Sequence, residues 1–364
     1  MKYNISIECG EEVKVLLNIG LKNLTKFCCL LGILLLSTQT HAAVVTMDAN
    51  GTAFQGNLRA GDPTNNVGIL FFHGRGGNMN GNFVKHVGKT MATSGYTNFS
   101  LANPEPSTGT SWASYVNEED LVGAQVIARL DTALTEMANR GIEHVVFAGI
   151  SLGARLMTAA VAAWDQGLFS PTSNINLVGL IGASMYPETG APIIARTPSN
   201  PTSISDINFY DVEKNMTLIN TVPVLDIYGS NDPRAINFAP ARRAAYSGSP
   251  SEYVQTEITC PADNGTYYAW LGGNNYVPYY DHTSSDPYNR CHQLRDGHLA
   301  DGSGGYYKAL VLRETLTAPV ETSILAFMDK QVLPQTQFVP EASSLFLLLA
   351  GLPLLFVGFR NRNN

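Results

Sequence analysis

One stretch of this chain constrains the fold more than any other. The apolar segment His144-Val145-Val146-Phe147-Ala148 runs into Gly149-Ile150-Ser151-Leu152-Gly153, and a helix candidate rich in Ala follows from Leu152 to Trp164. A short apolar run of this kind reads as a buried strand, so Ser151 stands in a sharp strand-to-helix turn. Such a turn forces its central residue into strained dihedrals and leaves no room for flanking side chains, which is why glycine is needed at 149 and 153. The hydroxyl then projects above the sheet, beside the N-terminus of the helix. That is where a nucleophile belongs. The bland alternative is a structural glycine turn, and the bare five-residue pattern would not separate the two; its strand and helix do.

The surrounding pattern is α/β. Val67 to Phe72, Thr97 to Ala102, Leu177 to Ala183, Val222 to Tyr228 and Tyr253 to Ile258 read as further strands. Phe83 to Thr93 and Val320 to Lys330 read as helices. From Glu118 to Asn139, Val122, Val126, Leu130, Leu134 and Met137 recur at helical spacing, and Gly141 ends the pattern. Strands apolar on both faces, alternating with helices, predict a mostly parallel sheet with helices on both faces. Chemistry in such a sheet belongs on the loops at the carboxyl ends of the strands.

Three further motifs fall at those ends. Phe72-His73-Gly74-Arg75-Gly76-Gly77 follows the first strand of the pattern, and its glycines leave backbone N–H groups unshielded. The turn suits an oxyanion hole, with the N–H of Leu152 as the second donor. It lacks the Gly-Lys-Ser/Thr ending of a phosphate loop. His73 reads as a structural turn residue, and the Arg75 side chain as facing solvent or an anionic substrate group. In Pro223-Val224-Leu225-Asp226-Ile227-Tyr228-Gly229-Ser230-Asn231-Asp232, the strand ends at Gly229 and Asp232 follows in the loop, placed to orient a histidine. Asp226, inside the strand, is the runner-up and reads more naturally as a hydrogen-bonded core group. The base must come after Asp232 in a Ser, acid, His order. His298, in a Gly-flanked loop ahead of the last helix, is the first choice, with His292 and His282 behind it; His144 and His86 read as structural.

On these motifs, residues from about 67 to 330 resemble the α/β-hydrolase superfamily, in particular a bacterial subgroup of unknown function with the same His-Gly-x-Gly turn and Pro-Val-Leu-Asp-x-Tyr-Gly strand. The resemblance implies an α/β-hydrolase fold and a Ser-His-Asp mechanism with no metal or organic cofactor. Residue by residue, it makes Ser151 the nucleophile and Asp232 the acid, with Arg75 and Leu152 supplying the oxyanion N–H groups. The sequence departs from the pattern after Ile258. A histidine is expected there, but Pro261-Ala262-Asp263-Asn264 stands instead, and the histidine-bearing segment arrives only after an insertion over 260–297.

Both ends of the chain read as processing signals. Lys22 and Lys26 precede the apolar run Phe27 to Leu36, and a polar stretch then leads to His41-Ala42-Ala43, the order of a secretory signal cleaved after Ala42 or Ala43. The run is short for a membrane anchor. Residues 1–20 lie far upstream for such a signal, and a misassigned start codon is one explanation, although no Met stands near Leu21. At the other end, Val339-Pro340-Glu341-Ala342-Ser343, the apolar run Leu345 to Phe359, then Arg360 and Arg362 resemble a PEP-CTERM sorting signal, with Ala342 where that motif has Pro. This similarity implies a signal peptidase and an exosortase-like enzyme as partners. A plain C-terminal transmembrane anchor is the alternative. The expected layout is therefore a signal region over 1–42, one hydrolase domain over 43–338 and a sorting tail over 339–364, in a protein exported to the periplasm, surface or matrix of a Gram-negative bacterium.

Cysteine usage points the same way. Cys9, Cys28 and Cys29 fall in the segment to be removed, leaving Cys260 and Cys291 as an even pair; a disulfide is the natural reading in an oxidising compartment, two free thiols the other. Closing that loop contributes about 3–4 kcal/mol on the chain-entropy model. A formal net charge of −7 argues against a nucleic-acid partner, and 15% charged residues with 33 Gly and 19 Pro suit a loop-rich secreted enzyme. The expected substrate is a small-molecule or polysaccharide ester. Two rivals stay open: a hydrolase-fold surface binding protein without activity, and a deacetylase acting on exported polysaccharide. The aromatic insertion around Tyr267, Tyr268, Trp270, Tyr276, Tyr279 and Tyr280 could stack on sugars, or simply pack a loop.

Overall fold

The computed structural model describes residues 2–9, 13–20, 42–75, 77–109, 112–185, 197–230, 232–259 and 317–336, with short pieces at 267–270, 276–279, 294, 299–300 and 306–307. The chain divides into two compact units, Met1–His41 and Ala42–Asn364. In the first, Lys2–Cys9 and Val13–Gly20 pair as antiparallel strands.

The second unit is built on an eight-stranded sheet. In chain order its strands are β1 (Ala43–Ala49), β2 (Thr52–Arg59), β3 (Val67–Phe72), β4 (Thr97–Leu101), β5 (His144–Ile150), β6 (Asn176–Ala183), β7 (Val224–Gly229) and β8 (Tyr253–Ile258). Across the sheet they lie in the order β1-β2-β4-β3-β5-β6-β7-β8. Every pair from β4 to β8 is parallel, and β1 and β2 close the sheet as an antiparallel hairpin whose second strand runs antiparallel to β4.

That hairpin is the part of the sheet absent from the sequence reading. Its turn is Asn50-Gly51, with φ of 54° and 83°. Two successive positive φ values are what a tight hairpin turn matched to strand twist requires, and Asn-Gly supplies them at least cost. The other strands lie within a residue or two of their expected bounds.

Alternation along the strands sends side chains to two separate cores. On one face, Leu70, Phe72, Phe99, Leu101, Val145 and Phe147 pack against α2 (Glu119–Ala138) and α3 (Leu152–Asp165). All five residues predicted to form the stripe of α2 are buried in this core. On the other face, Ile69, Phe71, Val146, Ala148 and Ile227 pack against α1 (Asn82–Thr93) and α5 (Thr317–Phe327), which continues through one π-helical turn over Met328–Val332. Each wholly buried aliphatic or aromatic side chain contributes about 1.5–3 kcal/mol. A parallel sheet covered by helices on both faces, in this strand order and with a strand–Ser–helix turn at its centre, is the α/β-hydrolase fold.

Among the described residues no helix is long and apolar enough to cross a membrane. The apolar stretches 27–36 and 345–359 lie outside those residues, as do Cys260, Cys291 and most of the 260–297 insertion.

Candidate active site

β5 ends at Ile150 and α3 begins at Leu152, so a single residue makes the turn. Ser151 takes φ 55° and ψ −117° there. A non-glycine residue at positive φ is strained, at a cost of about 1–3 kcal/mol, and persists only where its surroundings over-determine it. Here they do. A Cβ on Gly149 would run into the carbonyl of Gly153, and one on Gly153 would strike the carbonyl of Phe72 and lie 2.6 Å from the carbonyl oxygen of His73. Both glycines thus let α3 start hard against the ends of β3 and β5. Ser151 is 9% exposed. As the first residue of α3, Leu152 has no intrahelical acceptor for its N–H, which belongs to the positive end of the helix.

The strand ends around Ser151 are cross-tied one residue past the ladder. Ser151 N–H donates to Ala183 O at 2.9 Å, Ser184 N–H to Ile227 O at 2.7 Å and Ser230 N–H to Ile258 O at 2.9 Å. Ser151 and Asp232 therefore sit beyond the same carboxyl edge, on strands two places apart, about 10 Å at the usual strand spacing. Asp232 is fully buried, its N–H donating to Gly229 O (3.1 Å) and its carbonyl accepting from Ala235 and Ile236 (3.1 and 2.9 Å). His298, His292 and His282 lie outside the described residues.

On the β3 side, the turn after Phe72 comes up against Ser151. A Cβ on Gly74 would stand 3.4 Å from Ser151 Cβ and 4.0 Å from its Oγ. The turn closes with Gly77 N–H donating to Gly74 O at 3.0 Å. Arg75, between them, is exposed. His73 is 6% exposed and has both ring nitrogens engaged: Nε2 accepts from Asn103 N–H at 3.0 Å, and Nδ1 lies 2.8 Å from Gly74 O. A backbone N–H can only donate and a carbonyl can only accept, so the proton must be on Nδ1 and the ring is neutral. Burial holds the imidazole below its ordinary pKa, Arg129 adding to the effect and Glu105 opposing it. His73 is thus a structural residue, as the sequence suggested. Asn103 also donates from Nδ2 to His73 O at 2.6 Å. The loop that follows is pinned at its far end by Glu118, which accepts from Thr108 and from Ser107 N–H; these bonds hold its carboxyl down to about 2.

On the β7 side, Asp226 is a core group. It is fully buried against Arg242 of α4 (Ala239–Ala245), itself 1% exposed, which donates from Nε to Oδ2 (3.0 Å) and from Nη2 to Oδ1 (3.1 Å). Tyr253 Oη and Gln255 Nε2 each donate to Asp226 Oδ2 at 3.0 Å. Burial and the adjacent carboxylate push the Tyr253 phenol well above its ordinary value, so it remains a donor. Arg242 Nη1 reaches Met185 O (2.6 Å), just past β6, and Ala235 O (3.0 Å), in the turn that starts at Asp232. Sequence reasoning missed both Arg242 and Asn103. Among the described residues no cluster of His, Cys, Asp or Glu could hold a metal ion.

No protein-family model matches the sequence, and no curated protein matches it. Among solved structures, the chain is similar to a dienelactone hydrolase from Anabaena variabilis, at 14% identity over 61% of this chain and 87% of that one, with a TM-score of 0.42. It is similar to Est1E from Butyrivibrio proteoclasticus at 13% identity over 59% and 88%, TM-score 0.41. A cold-adapted esterase from an Arctic intertidal metagenomic library gives 15% identity over 60% and 84%, TM-score 0.42.

Proposed function

We propose that this protein is an exported serine hydrolase that cleaves esters through Ser151, His298 and Asp232. The observation that carries the reading is the backbone of Ser151: φ 55° at the start of α3, with a glycine on either side that no other residue could replace and the Gly74 turn against its Oγ. A chain has no packing reason to keep this strain on a serine when glycine would relieve it.

In the proposed reaction His298 takes the proton from Ser151 Oγ as the oxygen bonds to the ester carbonyl carbon. The resulting oxyanion is held by the N–H groups of Leu152 and Arg75. The carbonyl re-forms, the C–O bond to the leaving alcohol breaks, and His298 returns the proton to that alcohol. Water, deprotonated by the same histidine, then releases the acid and restores Ser151. Asp232 holds the imidazole in the required tautomer and stabilises its charged form.

A fluorophosphonate probe tests the reading on the full chain. Wild type should label and hydrolyse p-nitrophenyl esters; Ser151→Ala should do neither. His298→Ala should lower kcat by roughly 10⁴-fold or more, with His292→Ala and His282→Ala near wild type. A folded wild type that neither labels nor turns over would sink the proposal in favour of a binding role.

A further inference from the structure

A turn built on Gly74 and Gly77 carries only the exposed Arg75 side chain, and glycine has more backbone freedom than any other residue. Yet oxyanion donors must be held within about 0.5 Å, and a misplacement of about 1 Å costs about 100-fold in rate. Something outside the turn must supply the stiffness. We propose that Asn103 is a positioning residue for the hydrolytic reaction, gripping His73 at two points and, through it, the Gly74 turn that faces Ser151.

The grip is two-sided. Asn103 N–H donates to His73 Nε2 (3.0 Å), while Asn103 Nδ2 donates to His73 O (2.6 Å). The first bond leaves the ring proton on Nδ1, where it meets Gly74 O (2.8 Å). Gly74 O is also the acceptor that closes the turn from Gly77 N–H. A Cβ on Gly77 would stand 3.2 Å from His73 Nδ1, so a glycine there lets the turn fold down onto the ring. Asn103 is 5% exposed, and the residue before it is anchored independently. Ala102 N–H donates to Gln55 O (2.9 Å), and Ala102 O accepts from Arg129 Nη1 (2.6 Å) on α2, whose guanidinium also lies 5.2 Å over the Phe54 ring. A rigid helix and strand thus hold the glycine turn through one asparagine and one neutral histidine. The charged groups that act on that histidine are Glu105 and Arg129.

This inference rests on the serine hydrolase reading, and two measurements keep the two apart. The first is turnover of p-nitrophenyl acetate per site titrated with fluorophosphonate. Asn103→Asp preserves size and the backbone N–H but sets an acceptor against the His73 carbonyl, and Asn103→Ala removes the amide. Both should lower kcat by about 10- to 100-fold with KM changed less than about threefold. A packing role alone predicts that Asn103→Asp turns over like wild type per titrated site; kcat within about twofold of wild type in both variants overturns the proposal. The second measurement needs neither activity nor a variant: ¹⁵N NMR of the wild-type imidazoles at pH 7 should show His73 protonated at Nδ1 alone. Protonation at Nε2 overturns the grip whatever the activity. A wild type that neither labels nor turns over ends the hydrolase reading and the catalytic part of this one with it.

Discussion

On the β3 side of Ser151 the groups that touch the glycine turn are neutral, an uncharged imidazole, a primary amide and carbonyls, with the Arg129 guanidinium one step behind them on Ala102 O. On the β7 side it is held by a buried ion pair, Asp226 with Arg242, to which Tyr253 and Gln255 add their donors. The two solve different problems. The neutral network fixes the glycine turn that faces Ser151 Oγ. The ionic network joins separate parts of the chain: β7, β8, α4, Met185 just past β6 and the turn that begins at Asp232. A bidentate guanidinium with a spare nitrogen for two carbonyls suits that task.

Removing charge from the ionic side should do the most damage. Arg242→Met leaves the Asp226 carboxylate buried without its cation and should lower unfolding stability by about 3–5 kcal/mol, read from urea midpoints. Replacing Asp226 by Asn in the same chain should recover much of that loss. A loss below about 1 kcal/mol for the single variant would show that the pair does not brace the fold. Tyr253→Phe removes one hydrogen bond to the carboxylate and nothing else of the ring, so about 1.5–3 kcal/mol is expected by the same measurement.

The neutral side should answer to pH. Burial depresses the folded pKa of His73 below its unfolded value of about 6.5. The unfolded chain therefore binds the proton first. The stability this histidine contributes is complete above pH ~6.5 and declines as pH falls below it, by at most about 1.4 kcal/mol per pH unit. His73→Gln, which does not titrate, should flatten that part of the stability profile. Identical slopes for wild type and variant between pH 6.5 and 5 would count against a neutral buried ring.

The parallel strands were legible because burial on both faces writes an uninterrupted apolar run, and Ser151 because the turn around it tolerates only glycine on either flank. β1 and β2 were passed over for the same reason in reverse. β1 is the edge strand and β2 lies beside it, both begin at exposed positions, and their one plain signal is the Asn50-Gly51 dipeptide. Asp226 could be read as a core group from its place inside a strand, but its partner could not. Nothing local ties residue 226 to residue 242; only the packing of α4 does. Asn103 read as the start of a loop because its meaning depends on β4 lying beside β3, an adjacency that no periodicity encodes.

The seating of Gly153 on the carbonyls of Phe72 and His73 has a kinetic consequence. The Ser151 hydroxyl and the Gly74 turn belong to strands separated by three helices and a strand, and neither is in place until β3, β4 and β5 have come into register. Closing such distant pairings is slow. In a refolding experiment helical ellipticity should therefore return first and, on the serine hydrolase reading, ester turnover last, and a nascent chain that stops short of Ile150 holds the Gly74 turn without the hydroxyl it faces.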